Sequence, residues 1–130
     1  MISRMRFASI TVTDINKAVE FYVDKLGFTV QVEMPLPGGN QFVMVAPRDG
    51  GSSLVFSLAL PGQTHSPASN ISFETNDVSV TYDELRARGV EFSREPAKTP
   101  WGGVEAMFLD PFGNRFLLQQ GGPLPVKPTA

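Results

Sequence analysis

The chain has 130 residues, no Cys, one His and a formal net charge of -2, which is room for one ordinary domain and too little for two independent ones. A chain of this length buries roughly two-thirds of its unfolded surface, so its core needs no disulfide or metal staple. The missing Cys excludes disulfide frameworks, Cys-zinc sites and thiol nucleophiles and fits a reducing cytoplasm, while near-neutral charge leaves no electrostatic footprint for nucleic acid or an anionic membrane.

The segment Met1–Arg6 is basic, but the apolar stretch after it breaks at Ser9 and Thr11, so neither a signal peptide nor a membrane span is expected. Met5 to Val12 alternates as a half-buried strand, with Ala8, Ile10 and Val12 on one face and Phe7, Ser9 and Thr11 on the other. Thr13 or Asp14 then caps a helix whose apolar positions are Ile15, Ala18, Val19, Tyr22 and Leu26, and Gly27 supplies its left-handed stop. Strands are expected at Phe28–Met34, Gln41–Ala46 and Leu54–Leu60, separated by Gly- and Pro-rich turns. The first half reads βαβββ.

After a loop at Pro61–Ser69, which carries the sole His65 as a solvated surface residue, the pattern starts again. Asn70–Thr75 alternates as a strand. Asn76 or Asp77 caps a second helix with Val78, Thr81, Tyr82 and Leu85 inward, and Gly89 ends it. Strands follow at Val90–Ser93, Val104–Leu109 and Arg115–Gln120, the last two joined by the turn Asp110-Pro111-Phe112-Gly113-Asn114. Asp14 matches Asp77 and Gly27 matches Gly89, with the second helix one residue shorter. An internal repeat of a unit that cannot close its own core implies one domain over residues 1–122, made of modules at about 5–60 and 69–120, with a flexible tail at 123–130.

Several of these residues carry a resemblance. Thr11-Val12-Thr13-Asp14-Ile15, Ala18-Val19-Glu20-Phe21-Tyr22 and Leu26-Gly27-Phe28 resemble the opening signature of the vicinal oxygen chelate superfamily, which groups glyoxalase I, bleomycin-resistance proteins and extradiol dioxygenases. Ala87-Arg88-Gly89-Val90 and Asp110-Pro111-Phe112-Gly113-Asn114 are similar to its second-half segments. The resemblance implies an α+β fold: two tandem βαβββ modules forming a curled, incomplete mixed β-barrel with helices outside, bordered or completed in a homodimer, with a ligand cleft inside the curl.

Metal-dependent members of that family place a His seven residues before the turn Asp of each module and further ligands on the last strands. Those counts fall here on Phe7, Asn70, Phe56 or Ser57, and Leu117. Phe and Leu donate no lone pair, and Asn is a poor transition-metal ligand without anionic companions. The expectation is therefore no metal, no cofactor, and no metal-chelating glyoxalase or dioxygenase mechanism.

What remains is a cleft for a small organic molecule, lined by Phe7, Ser9, Phe56, Asn70, Ser72, Trp101, Met107, Arg115 and Leu117, with Thr11, Glu74 and Gln119 on the same face. The alternative is that Phe7, Phe56 and Leu117 fill the space themselves. Trp101, in Thr99-Pro100-Trp101-Gly102-Gly103, is placed either to stack on a planar ligand or to close a dimer seam. Glu74 is a candidate general base, and Arg115 pairs either with an anionic ligand or with Glu74. The function expected is small-molecule binding by a cytoplasmic homodimer, antibiotic sequestration being one form. The competing reading is a glyoxalase-type lyase or isomerase, or a metal-free acid–base enzyme using Glu74 and Arg115.

Overall fold

The computed structural model describes residues 1–63 and 71–121. Its elements run β1 (Ala8–Val12), α1 (Ile15–Val19) continued by a π-helical turn (Glu20–Lys25), β2 (Thr29–Pro35), β3 (Gln41–Ala46), β4 (Leu54–Leu58), β5 (Ile71–Glu74), α2 (Val78–Ala87), β6 (Glu91–Lys98), β7 (Val104–Leu109) and β8 (Arg115–Gln120). The strands form two open four-stranded sheets, ordered β1-β4-β3-β2 and β5-β8-β7-β6. In each, the first strand runs parallel to the last, β1 to β4 and β5 to β8. The repeat in the sequence is thus a repeat of topology, βαβββ twice, in an α+β fold. His65, Asn70 and the tail at 123–130 lie outside the described residues. No helix among the described residues is long and apolar enough to cross a membrane.

The chain divides into two compact units, one of Met1–Ser69 with Leu109–Asn114 and one of Asn70–Phe108 with Arg115–Ala130. In the first unit Asp14 caps α1, its carboxylate accepting the Lys17 N–H at 3.0 Å. The helix-facing core holds Ile10, Val12, Ala18, Tyr22, Val43, Val45 and Phe56, all buried, and each such apolar side chain contributes roughly 1.5–3 kcal/mol on leaving water. The inward face departs from the simple helical spacing. Phe21 is buried beside Tyr22, their rings 5.1 Å apart, whereas Leu26 is only half-buried. The reason is the π turn, where the Leu26 N–H donates to the Phe21 carbonyl five residues back at 3.1 Å. A turn closed by that longer bond holds one residue more than an α turn. It absorbs the residue by which this helix exceeds its counterpart between cap and Gly27, where the backbone turns left-handed at φ 78°.

The same unit takes in a piece of the second module. Asp110, on the turn between β7 and β8, is buried and accepts four hydrogen bonds: from the Tyr22 hydroxyl (2.7 Å), the Phe112 and Asn114 N–H groups (2.9 and 2.8 Å) and the Asn114 side-chain amide (2.7 Å). The Asn114 amide also donates to the Thr11 carbonyl at 2.8 Å. A buried carboxylate is tolerable only when its lone pairs are filled in this way. The turn is a hairpin and, at once, a polar clasp on α1 and β1.

In the second unit Asp77 caps α2 by accepting the Val80 N–H at 3.1 Å, and the Gln120 side chain accepts the Val78 N–H. Val78 and Leu85 are buried, and the rings of Phe73, Phe108 and Phe116 pack together with centroids 5.3 to 6.3 Å apart. Strand β6 continues past the expected end at Ser93 to Lys98, through Pro96. It is an edge strand, so the missing N–H of a proline removes no ladder bond that the sheet requires.

Candidate functional site

Period-two alternation fixes which side chains share each face of the second sheet. Phe116 and Leu118 are buried on the helix side, where the half-buried Phe73 joins them, so Ser72, Glu74, Arg115, Leu117 and Gln119 occupy the other face. At the C-terminal ends of β5 and β8 lies a cavity of about 340 Å³ lined by Ser72, Phe73, Glu74, Trp101, Gln119, Gln120 and Gly121.

Two of the lining residues, Ser72 and Gln119, head a chain of hydrogen bonds. The Ser72 hydroxyl donates to Gln119 Oε1 at 2.6 Å, the Gln119 amide nitrogen donates to Glu105 Oε2 at 3.0 Å, and Arg94 closes an ion pair on Glu105 Oε1 at 2.7 Å. The wall is Trp101, 57% exposed at the tip of the β6–β7 hairpin. That tip is tied down. The Thr99 N–H donates to the Gly103 carbonyl at 2.9 Å, the Gly102 N–H to the Thr99 carbonyl at 3.2 Å, and the Gly103 N–H to the Thr99 hydroxyl at 2.9 Å. Gly102 has φ +87°, and a Cβ on Gly103 would sit 2.5 Å from the Gln120 carbonyl oxygen. Only glycine allows the loop to lie this close to the end of β8. The loop backbone that carries Trp101 is therefore held by its hairpin, and the indole is largely exposed.

Of the residues singled out from sequence, the cavity brings together Ser72, Trp101 and Glu74. Leu117, Met107 and Arg115 share the sheet face but do not line the cavity. Arg115 stands four positions along β8 from Gln119, the partner of Glu74, about 13 Å of strand rise, which counts against the one of its two alternatives that paired it with Glu74. Phe7 and Ser9 belong to the first unit, where the Phe7 ring meets Phe42 edge-on at 6.1 Å. Phe56 is corrected as well: it pairs with Ile10 across β1 and β4, is buried, and lies 5.2 Å from the Tyr22 ring. That is the helix-covered face, and the position on the other face is Ser57, opposite Thr11. Gln119, expected on the cleft face, lines the cavity, as does Gln120, which was not expected there, while Glu105 and Arg94, linked to Gln119, gave no sequence signal. Their relation depends on cross-strand register.

The profile of the Glyoxalase/Bleomycin resistance protein/Dioxygenase superfamily matches residues 4–118. The chain belongs to this superfamily. A superfamily member from Sphaerobacter thermophilus is similar, with a TM-score of 0.80 and 34% identity over 91% of this chain and 97% of that one. TnmS3, an antibiotic binding protein from a Streptomyces species, is similar with a TM-score of 0.78 and 35% identity over 93% and 98%. A lactoylglutathione lyase of Arabidopsis thaliana is 31% identical over 123 residues, which are 88% of this chain but only 43% of the lyase.

Superfamily membership raises the question of a divalent metal, and the side chains at the ligand positions answer it by their chemistry. Phe7 and Leu117 have no lone pair to offer, and Phe56 points into the helix core. Ser57, on the other face, is a neutral hydroxyl that binds transition metals weakly. The residues at these positions do not fit such an ion. Among the described residues no three of His, Asp and Glu come together as a metal-holding group.

Proposed function

We propose that this protein binds a small organic molecule with a planar ring system, without metal, in the cavity of the second unit. The observation that carries the reading is the exposed Trp101 indole, on a bonded hairpin loop, lining a cavity together with the polar Ser72, Glu74 and Gln119. A rigid aromatic wall supplies contact area at low entropic cost, and a few polar groups orient the ligand. The likeness to TnmS3 favours sequestration of an antibiotic-like compound over turnover. The cysteine-free composition suits a cytoplasmic protein. Val30, Val32 and Met34, exposed on the edge strand β2, support a homodimer.

Trp101 is the only tryptophan, so its fluorescence reports the site directly. A panel of planar aromatic compounds is expected to contain at least one that shifts or quenches it saturably, and a panel that never does so defeats the reading. The likeness to a lactoylglutathione lyase favours one other reading, a glyoxalase-type enzyme. Stoichiometric zinc or nickel in the purified protein, together with turnover of the hemithioacetal of methylglyoxal and glutathione, would establish it in place of ours. Light scattering tests the dimer through a mass twice that of the chain.

A further inference from the structure

The chemistry of the cavity lining restricts the charge of the ligand. The Glu105 carboxylate has only acceptors to offer Gln119, so the Gln119 amide must turn its nitrogen toward Glu105 and its oxygen toward Ser72. The Ser72 hydroxyl then spends its one proton on that oxygen. What it presents to the cavity are lone pairs. Glu74, opposite Gln119 on the neighbouring strand, adds a carboxylate on the same face. Among the described residues none of the cavity lining is basic, and Arg94 is engaged with Glu105 on the far side of the relay.

The geometry points to a site whose β5 side, Ser72 and Glu74, is polarised toward hydrogen-bond acceptors, selecting planar aromatic ligands that carry a cationic amine or amidine and rejecting anionic ones. Glu105 is its positioning residue, acting through Gln119. This inference rests on the ligand-binding reading above and adds the class of ligand. An aromatic cation gains twice here, by stacking on the Trp101 face and by charge-assisted bonding to Glu74 and Ser72. An aromatic carboxylate of the same ring size gains only the stacking and meets Glu74 as a like charge.

The test compares 9-aminoacridine, a planar cation, with anthracene-9-carboxylate, a planar anion, by calorimetry and by Trp101 fluorescence at low salt. The cation is expected to bind roughly tenfold or more tightly than the anion, the scale of one charge-assisted contact. Glu74→Gln should shrink that ratio several-fold while the fluorescence change persists. A neutral pair reads the relay: 2-aminoanthracene, a donor, should be preferred over anthrone, an acceptor, in the wild type. Glu105→Gln should narrow that preference, because a glutamine at 105 no longer dictates which way the Gln119 amide faces. Equal binding of cation and anion, both perturbing Trp101, overturns the acceptor polarity and leaves the cavity reading standing. If neither probe nor either neutral ligand perturbs Trp101 or gives heat, both fall together.

Discussion

Removing the Tyr22 hydroxyl, by Tyr22→Phe, isolates the clasp that the Asp110 turn makes on the first helix. The phenol is fully buried and donates to Asp110 at 2.7 Å, while the carboxylate keeps its three remaining bonds from Phe112 and Asn114. The substitution therefore deletes one hydrogen bond to a charged group without stranding the charge, a loss of about 1.5–3 kcal/mol. For a domain of this size that is a fall in Tm of roughly 6–12 °C. Burial first, then the charge of Asp110 and its hydrogen bond, hold the Tyr22 hydroxyl pKa well above its ordinary value. The unfolded chain loses that proton near pH 10, about the ordinary value for tyrosine, and the folded chain retains it. The contribution of Tyr22 is accordingly complete below about pH 10 and declines as pH rises above it. The stability gap between wild type and Tyr22→Phe should close by about 1.4 kcal/mol per pH unit in that range. Urea unfolding of both proteins at pH 7, 10 and 11 measures this. A variant within about 0.5 kcal/mol of wild type at pH 7, or a gap that stays constant to pH 11, would refute the clasp.

Further outcomes follow from single features. Gly103→Ala places a methyl against the Gln120 carbonyl oxygen, a backbone atom that cannot swing aside. It should cost about 1–3 kcal/mol and shift Trp101 emission, and a variant with wild-type stability and spectrum would contradict the close approach. Asp77→Ala removes the α2 cap and should lower stability by about 1 kcal/mol in chemical denaturation, with Asp77→Asn close to wild type. Gly27→Ala, at φ +78° with open space around it, should cost about 1–2 kcal/mol from backbone conformation alone. Here Gly27→Asn should be milder, since Asn tolerates that region.

Much of the scaffold was legible because it is encoded locally. Asp14 and Asp77 are caps by their own side-chain chemistry, and Gly27 and Gly89 stop helices because the backbone there needs positive φ. Strands β3, β7 and β8 fall where the turn-bounded runs put them, since Gly- and Pro-rich segments mark their ends. The expected limits failed where position in the sheet mattered: the strand expected at Val90–Ser93 runs on to Lys98 through Pro96, which an edge strand tolerates. The one-residue mismatch between the helices was legible as a count. That it is an extra residue folded into a π turn, bringing Phe21 into the core, was not.

The site divides along the same line. Sequence alone determined the superfamily resemblance, the absence of lone-pair donors at Phe7 and Leu117, and the candidacy of Ser72, Glu74 and Trp101, because each depends on residue identity and local spacing. Only the tertiary structure decided that Phe56 faces Tyr22, that Arg115 is remote from Glu74, that the Asp110 turn clasps Tyr22, and that Gln119 links Ser72 to Glu105. Each of those is a matter of cross-strand register or of contact between residues far apart in the chain. For the strand residues among them, a shift of one position would send the side chain to the opposite face, and which strands meet in which register is decided between segments far apart in the chain.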